Sequence, residues 1–371
     1  MRTVELLIVG AGPAGLSAAL AAADAGVHAL VVDENLKPGG QLFKQIHKFF
    51  GSREHQAGTR GFRIGEELLA QTAEKGVEVR LGYPVYGVFP DKTVICGSPD
   101  GAQMLRAEKI ILAAGANENN LCFEGSDLPG VMTAGAAQTL INLHRVLPGR
   151  RVVMVGSGNV GLIVSYQLLQ AGAEVVALVE AAPQIGGYLV HAGKLKRAGV
   201  PIYTSHTIQR AFGETQVEGV EIVRTENFKP IPGTEFTLDA DTVCMAVGLT
   251  PMTELAKLAG CAVTEVPALG GVVPLHDENM RTTNPDIYVA GDIAGVEEAS
   301  TAMEEGRLAG TAAAQALGYL SESRAERTKA GIRERMAALR SGKFGTGRRS
   351  AKEALMREYQ ERVSCGGGQK P

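Results

Sequence analysis

The chain has 371 residues, of which 47 are glycine and 45% are apolar, enough for two or three domains with substantial cores. Its formal net charge of −3 gives no reason to expect nucleic acid as a partner, and Cys96, Cys122, Cys244, Cys261 and Cys365 lie too far apart in sequence for a zinc or iron–sulfur site or a disulfide framework. No run of eighteen apolar residues occurs, so no transmembrane segment is expected; the opening MRTVELLIVGAG reads as a strand closed by glycines rather than a signal peptide, and the cytoplasm is the default compartment.

LLIVGAGPAGLSAALAAADAGVHALVVDE, from residue 6, reads as strand, glycine turn, helix and strand. Gly10 permits the tight turn, Gly12 lets the backbone approach a pyrophosphate, Pro13 and Ala14 open the helix, and Gly15 lets it pack on the sheet. Asp33 closes the second strand, followed by Glu34, where a carboxylate accepts hydrogen bonds from ribose hydroxyls. The arrangement points to an adenine dinucleotide. PGGQL at 38–42 supplies Gly40 and Gln41, and the stretch after it, FKQIHKFFGSREHQAGTRGFRIGEELL, is rich in cations. Lys44 and His47, nearest to GGQL, are the candidates for a place beside the reactive ring of a cofactor. The competing reading is a solvated loop packed down by Phe49 and Phe50, ahead of a helix over 64–75.

KIILAAGANEN, from residue 109, is a strand that ends at Ala114 and Gly115, a close backbone approach suited to a ligand or a domain crossover. RRVVMVGSGNVGLIVSYQLLQAGAEVVALVE, from residue 150, then repeats the first pattern: Gly156, Gly158, Asn159, Val160 and Gly161 form a second glycine turn, and Glu180 ends the second strand. That carboxylate favours two ribose hydroxyls and repels a 2′-phosphate, so a nicotinamide cofactor here should be NAD rather than NADP. Catalytic NAD, another adenine nucleotide and an empty structural domain all fit this second fold. VCMAVGLTP at 243–251, with Gly248, closes it as 109–119 closes the first.

TTNPDIYVAGDIAG at 282–295 places Gly291 and Asp292 at the end of an apolar strand, before an alanine-rich helix over 299–316. Asp292 is placed to bond a ribityl hydroxyl, and the helix to aim its positive end at an isoalloxazine carbonyl; a turn or cap residue is the plainer reading. The expected architecture is α/β: two Rossmann-like dinucleotide-binding domains, the second inserted into the first, plus a helical basic C-terminal tail. The boundaries fall at 1–116 with 265–320, at 117–264, and at 321–371. An insert held by two connections can rotate against its host as a unit.

In combination, the two glycine sets, PGGQL, AAG at 113–115, VGLTP at 247–251 and AGD at 290–292 resemble the two-dinucleotide-fold flavoproteins, of which thioredoxin reductases are small members. In those reductases a Cys-x-x-Cys pair precedes the second fingerprint. Here Ala134, Gly135, Ala136 and Ala137 of TAGAAQTL occupy that place, so exchange chemistry, which needs an attacking thiolate and a resolving partner, is excluded. VVDE followed by PGGQ, a cysteine-free TAG segment and an acidic second fold is similar to the flavin subunits of multi-subunit amine and imino-acid dehydrogenases: the hydrogen cyanide synthase, opine oxidase, dye-linked proline dehydrogenase alpha and sarcosine oxidase alpha types. The resemblance implies FAD at Gly10, Gly12, Gly15, Asp33 and Asp292, a partner flavoprotein subunit that oxidises the substrate, and an iron–sulfur relay that is missing here or lies in a small separate subunit. The alternative is a self-contained NADH-dependent reductase passing electrons to a ferredoxin-like protein or quinone.

From residue 321 the chain holds thirteen Lys or Arg against six Glu. AGIRERMAALRSG and AKEALMREYQERV read as two helices joined by a flexible SGKFGTGRRS. Either they form a solvated extension, or Ile332, Met336 and Leu339 make one face that docks on an acidic partner. The closing SCGGGQKP reads as disordered.

Overall fold

The computed structural model describes residues 2–49 and 52–366. Phe50 and the last five residues of SCGGGQKP lie outside the described residues. The chain forms two compact units, Met1–Asn117 with Thr250–Pro371, and Glu118–Leu249.

The first unit opens with β1 (Arg2–Val9), α1 (Pro13–Asp24), β2 (Ala29–Asp33), α2 (Gly61–Glu74), β3 (Glu78–Leu81), β4 (Val85–Val88), β5 (Thr93–Ser98) and β6 (Gly101–Leu112). Strands lie in the order β3-β2-β1-β6-β5-β4, with β3, β2, β1 and β6 mutually parallel and β4, β5 and β6 antiparallel. Buried Leu6, Leu7 and Ile8 and Ile110, Ile111 and Leu112 form the uninterrupted apolar runs required of parallel strands covered on both faces. Helix α2 starts three residues earlier than its sequence pattern suggests.

After β7 (Ala116–Glu118) the second unit runs through β8 (Val131–Thr133), α3 (Ala134–Thr139), β9 (Arg151–Val155), α4 (Asn159–Ala171), β10 (Glu174–Glu180), α5 (Leu189–Arg197), β11 (Ile202–Thr204), β12 (His206–Phe212), β13 (Gly219–Glu226), β14 (Lys229–Pro230), β15 (Phe236–Asp239) and β16 (Thr242–Met245). A parallel sheet of order β11-β10-β9-β16-β8 is accompanied by an antiparallel sheet of β12, β13, β14 and β15.

The chain returns through β17 (Leu249–Pro251), α6 (Glu254–Leu258), β18 (Val263–Val266), β19 (Gly271–Pro274), β20 (Ile287–Val289) and α7 (Ala299–Ala316), then α8 (Glu322–Leu339) and α9 (Gly342–Gly366). Strand β20 joins β6 in parallel. The sequence reading resumed the first domain at 265; the structure resumes it at Thr250, because α6 and the turn after it bury Ala256, Ala259 and Cys261 in the first unit's core.

The tail is also corrected. Helix α9 begins at Gly342, so most of the stretch read as a flexible joint is helical. Ile332 and Met336 pack in the first unit's own core, Leu339 is half-buried, and Leu355 and Tyr359 close over Leu269, Val273 and Leu275. Neither a solvated extension nor a face left open for a partner forms here, because these apolar positions meet the chain itself.

Helices α1 and α7 pack backbone to backbone. A methyl at Gly306 would overlap the carbonyl oxygen of Ala14, and one at Gly310 that of Ala18. Gly331 in α8, by contrast, has only the end of Arg335 near its missing Cβ. Gly306→Val is therefore expected to destabilise the protein by about 1–3 kcal/mol through overpacking, whereas Gly331→Ala stabilises it by up to about 1 kcal/mol through helix propensity. Denaturant midpoints at unchanged m-value measure both; equal effects of one sign would contradict the packing described.

Candidate functional sites in the two units

In the first unit the chain leaves β1 at Gly10, whose φ is +107° and whose missing Cβ points into the Ala113 carbonyl; only glycine meets both conditions. Gly15 lies against the Gly10 carbonyl oxygen, which seats α1 on the sheet. Gly12, at the N-cap, provides no side-chain cap, and Pro13 opens the helix, so the first-turn amides keep their donor capacity for an anion. Asp33 binds the loop from below: Oδ2 accepts from the Ala11 amide at 2.5 Å and Oδ1 from Asn35 N at 2.7 Å and Asn35 Nδ2 at 2.9 Å. The segment after β2 folds back over the loop through Gly39 N donating to the Ala11 carbonyl at 2.8 Å, with Gly40 against Gly12.

The structure thus brings together Gly10, Gly12, Pro13, Ala14, Gly15, Asp33, Gly40 and also Gly291, whose missing Cβ points at the Ala14 methyl. Glu34 and Gln41 are exposed nearby in sequence. Lys44 ends the single helical turn Gly40–Lys44, and the His47 ring stacks on Phe49 at 5.7 Å between centroids. Gly115 has φ +80°, and its carbonyl accepts from Met252 N at 3.0 Å.

Asp292 does not end a strand: β20 stops at Val289, and Asp292 opens a one-turn helix to Ala294 behind Gly291, φ +77°. Asp292 Oδ1 accepts from the Glu297 amide at 3.3 Å. Burial, offset in part by that amide and reinforced by Glu305, Glu297 and Glu298, pushes its pKa up to about 7.

The second unit repeats the geometry. Gly156, φ +102°, points its missing Cβ at the Ala246 carbonyl, Gly161 lies on the Gly156 carbonyl, and nothing lies within 4 Å of where a Gly158 Cβ would be. Helix α4 also lacks a side-chain cap. Asn159 Oδ1 accepts from Tyr188 N at 2.9 Å, Val160 is exposed at the start of α4, and Gly248, φ +111°, accepts from Asn119 N at 3.0 Å through its carbonyl.

Glu180 is more occupied than the sequence suggests. Oε2 accepts from Ser157 N at 2.9 Å and from the Ser157 hydroxyl at 2.5 Å, and Oε1 from Ala182 N at 2.9 Å. The Ser157 hydroxyl in turn accepts from Gly186 N at 2.9 Å. Sequence reasoning missed Ser157 and the Gly186-Gly187 cover, although a signal existed: Gly39-Gly40 and Gly186-Gly187 each begin six residues beyond the strand-ending acid.

At the place of the redox pair, Thr133 caps α3 by accepting from Ala136 N at 3.3 Å, and Glu118 Oε1 accepts from Gly135 N at 2.7 Å. The thiol of buried Cys244 is pushed up to about 12, first by burial and then by Glu118, far from a thiolate. No helix among the described residues is long and apolar enough to cross a membrane.

A family model described as pyridine nucleotide-disulphide oxidoreductase matches residues 4–306. An opine oxidase subunit of Agrobacterium tumefaciens (strain Ach5) is 31% identical over 330 residues, covering 83% of this chain. The chain spans about two thirds of that relative, 65% of its length. Hydrogen cyanide synthase subunit HcnB of Pseudomonas protegens is 26% identical over 353 residues, 90% of this chain and 75% of that protein. The crystal structure of T. acidophilum thioredoxin reductase superimposes with a TM-score of 0.70 at 21% identity, over 85% of this chain and 99% of that one, a likeness of fold.

The raised Asp292 pKa sets a pH dependence. An acid whose folded-state pKa lies above its unfolded value contributes stability that is complete below the unfolded pKa and is lost as pH rises through the folded one. In the flavin-free protein that window runs from the ordinary 3.8 to about 7. Asp292→Asn is expected to flatten the loss across this window and to leave the flavin-free protein more stable than the parent at pH 8; chemical denaturation at a series of pH values measures it, and a parallel pair of profiles would contradict it.

Proposed function

Since the chain belongs to the pyridine nucleotide-disulphide oxidoreductase family and is an FAD-dependent oxidoreductase, we propose that it is the flavin subunit that moves electrons within a multi-subunit amine or imino-acid dehydrogenase. The observation that carries this reading is the thiol-free α3, with Ala134 and Ala137 where a reductase of the dithiol type needs two cysteines. The relatives named as subunits support it.

Bound FAD supplies reversible two-electron transfer. The first unit fits it: the uncapped first turn of α1 offers amides to the pyrophosphate, and Asp33, whose Oδ2 has a single donor among the described contacts, has acceptor capacity left for a ribose hydroxyl. Asp292 would accept from a ribityl hydroxyl, which favours its ionised form. Without a thiol relay, electrons leave by hydride transfer, by encounter with an acceptor, or through cofactors of partner subunits. The partners this reading assigns are a substrate-oxidising flavoprotein subunit together with a small iron–sulfur subunit.

Complex purified natively through this chain is expected to contain a second flavoprotein polypeptide and more flavin than one chain binds. A lone polypeptide that oxidises NADH rapidly would sink the proposal and favour the self-contained reductase. That second reading draws on one observation, the uncapped α4 with an open approach at Gly158, which suits a nucleotide in the second unit.

For that nucleotide the Glu180 carboxylate selects NAD over NADP by repelling a 2′-phosphate. Glu180→Arg is expected to narrow or reverse the preference in titrations of both cofactors; equal binding of the two by the parent protein would contradict the assignment.

A further inference from the structure

The basic tail turns three of its cations, Arg335, Arg340 and Lys352, onto α7. Glu304 and Glu305 of α7 are both fully buried, at 0% and 1% exposure. Glu304 faces His55 Nε2 at 2.9 Å, Arg335 of α8 at 2.9 Å, and Arg307. Glu305 Oε1 accepts from Arg340 at 2.5 Å and from Lys352 of α9 at 2.9 Å, while its Oε2 accepts from the Gly291 amide at 3.0 Å. Burial alone would raise the pKa of Glu305; Lys352 and Arg340 outweigh it and hold the carboxyl well below its ordinary value.

Lys352, 2% exposed, has three acceptors for its three protons. They are Glu305 Oε1, the Ala294 carbonyl at 2.9 Å and His276 Nε2 at 3.5 Å. His276 donates through Nδ1 to the Asp277 carbonyl at 2.8 Å, which leaves Nε2 as the acceptor, and burial together with Lys352 brings its pKa down to about 3. Arg340 adds a fork onto Glu297, with Nε at 3.0 Å from both oxygens; the Glu297 amide is the one that donates to Asp292.

The Glu305 half of this network ends on the turn Gly291–Ala294: Glu305 holds the Gly291 amide, Lys352 the Ala294 carbonyl, and Arg340 the side chain of Glu297, whose amide holds Asp292. Lys352 grips it at both ends, at Ala294 directly and at Gly291 through Glu305. We propose that Lys352 and Arg340 are positioning residues for the flavin site, a brace by which the C-terminal tail holds the Gly291–Asp292 turn in its ligand-ready form. The inference rests on the reading of Asp292 as a flavin contact, and its test separates the two.

The full-length chain is stripped of flavin, and FAD affinity is measured by flavin fluorescence alongside amide exchange over 291–295. Lys352→Met is expected to weaken FAD by about tenfold or more, since it removes charge-assisted hydrogen bonds and leaves the buried Glu305 with Arg340 alone of its two cations, and to speed exchange at 291–295 without speeding it in 118–249. Adding Glu305→Gln removes the under-compensated buried charge while leaving an acceptor for Gly291, and is expected to recover part of both effects. Leu355→Ala loosens α9 through its apolar contacts alone; it should lower global stability yet leave FAD affinity near the parent value.

A folded Lys352→Met protein with parental FAD affinity and parental exchange at 291–295 overturns the brace. So does Leu355→Ala weakening FAD as much as Lys352→Met, which would make the tail a general prop. If Lys352→Met does not fold, the double variant decides, because it loses the tie to Ala294 without keeping an under-compensated buried carboxylate at 305: parental affinity and exchange there overturn the proposal, and losses in both support it. Asp292→Ala with undiminished FAD affinity would instead refute the flavin contact, and the exchange measurement would still decide the brace.

Discussion

Two carboxylates side by side in one buried helix, Glu304 and Glu305, impose a condition on the rest of the first unit. A buried carboxylate is tolerated only when opposite charge and hydrogen bonds replace the water it has lost. Helix α7 can supply only Arg307 from its own length, and α1, against which it packs through Gly306 and Gly310, is alanine-rich and has no cation. The missing charge comes from later in the chain, from Arg335, Arg340 and Lys352. Three of the tail's cations are in this sense required by α7, and its helices cannot be a detached extension while Glu305 stays buried and ionised.

That dependence also explains which parts of the molecule could be read from the sequence. The glycine loops were legible because their constraints are local: a positive φ at Gly10 and Gly156, a carbonyl against Gly15 and Gly161, and an acid eighteen or nineteen residues on. Helix α7 was legible at both ends because alanine-rich periodicity bounded by GDIAG is a short-range pattern. The tail was not. Charges at helical spacing look like a solvated face, and nothing within a dozen residues of Lys352 reveals that its partners are Glu305, Ala294 and His276, at the far end of α7 and beyond. The boundary near residue 265 was misplaced for a related reason: Ala256, Ala259 and Cys261 are apolar enough to suit either core, and only packing decides between them.

The two nucleotide folds show how an identical frame admits different sites. In the first, residue 11 is alanine, and its amide alone reaches Asp33. In the second, the equivalent residue is Ser157, which gives Glu180 both an amide and a hydroxyl and then accepts from Gly186. One hydroxyl ties strand end, glycine loop and diglycine cover into a connected set of hydrogen bonds. Asp33 accepts three hydrogen bonds as well, but two of them come from Asn35 beyond the strand, and the cover there is tied to the loop by the Gly39 amide on the Ala11 carbonyl. In the second the equivalent backbone tie, Gly187 N to the Ser157 carbonyl, is joined by the Gly186 amide on the Ser157 hydroxyl. The asymmetry, a single side chain at the same point of two like folds, thus lies in where the donors come from rather than in how many each carboxylate has, and it gives the second frame one more tie between loop and cover.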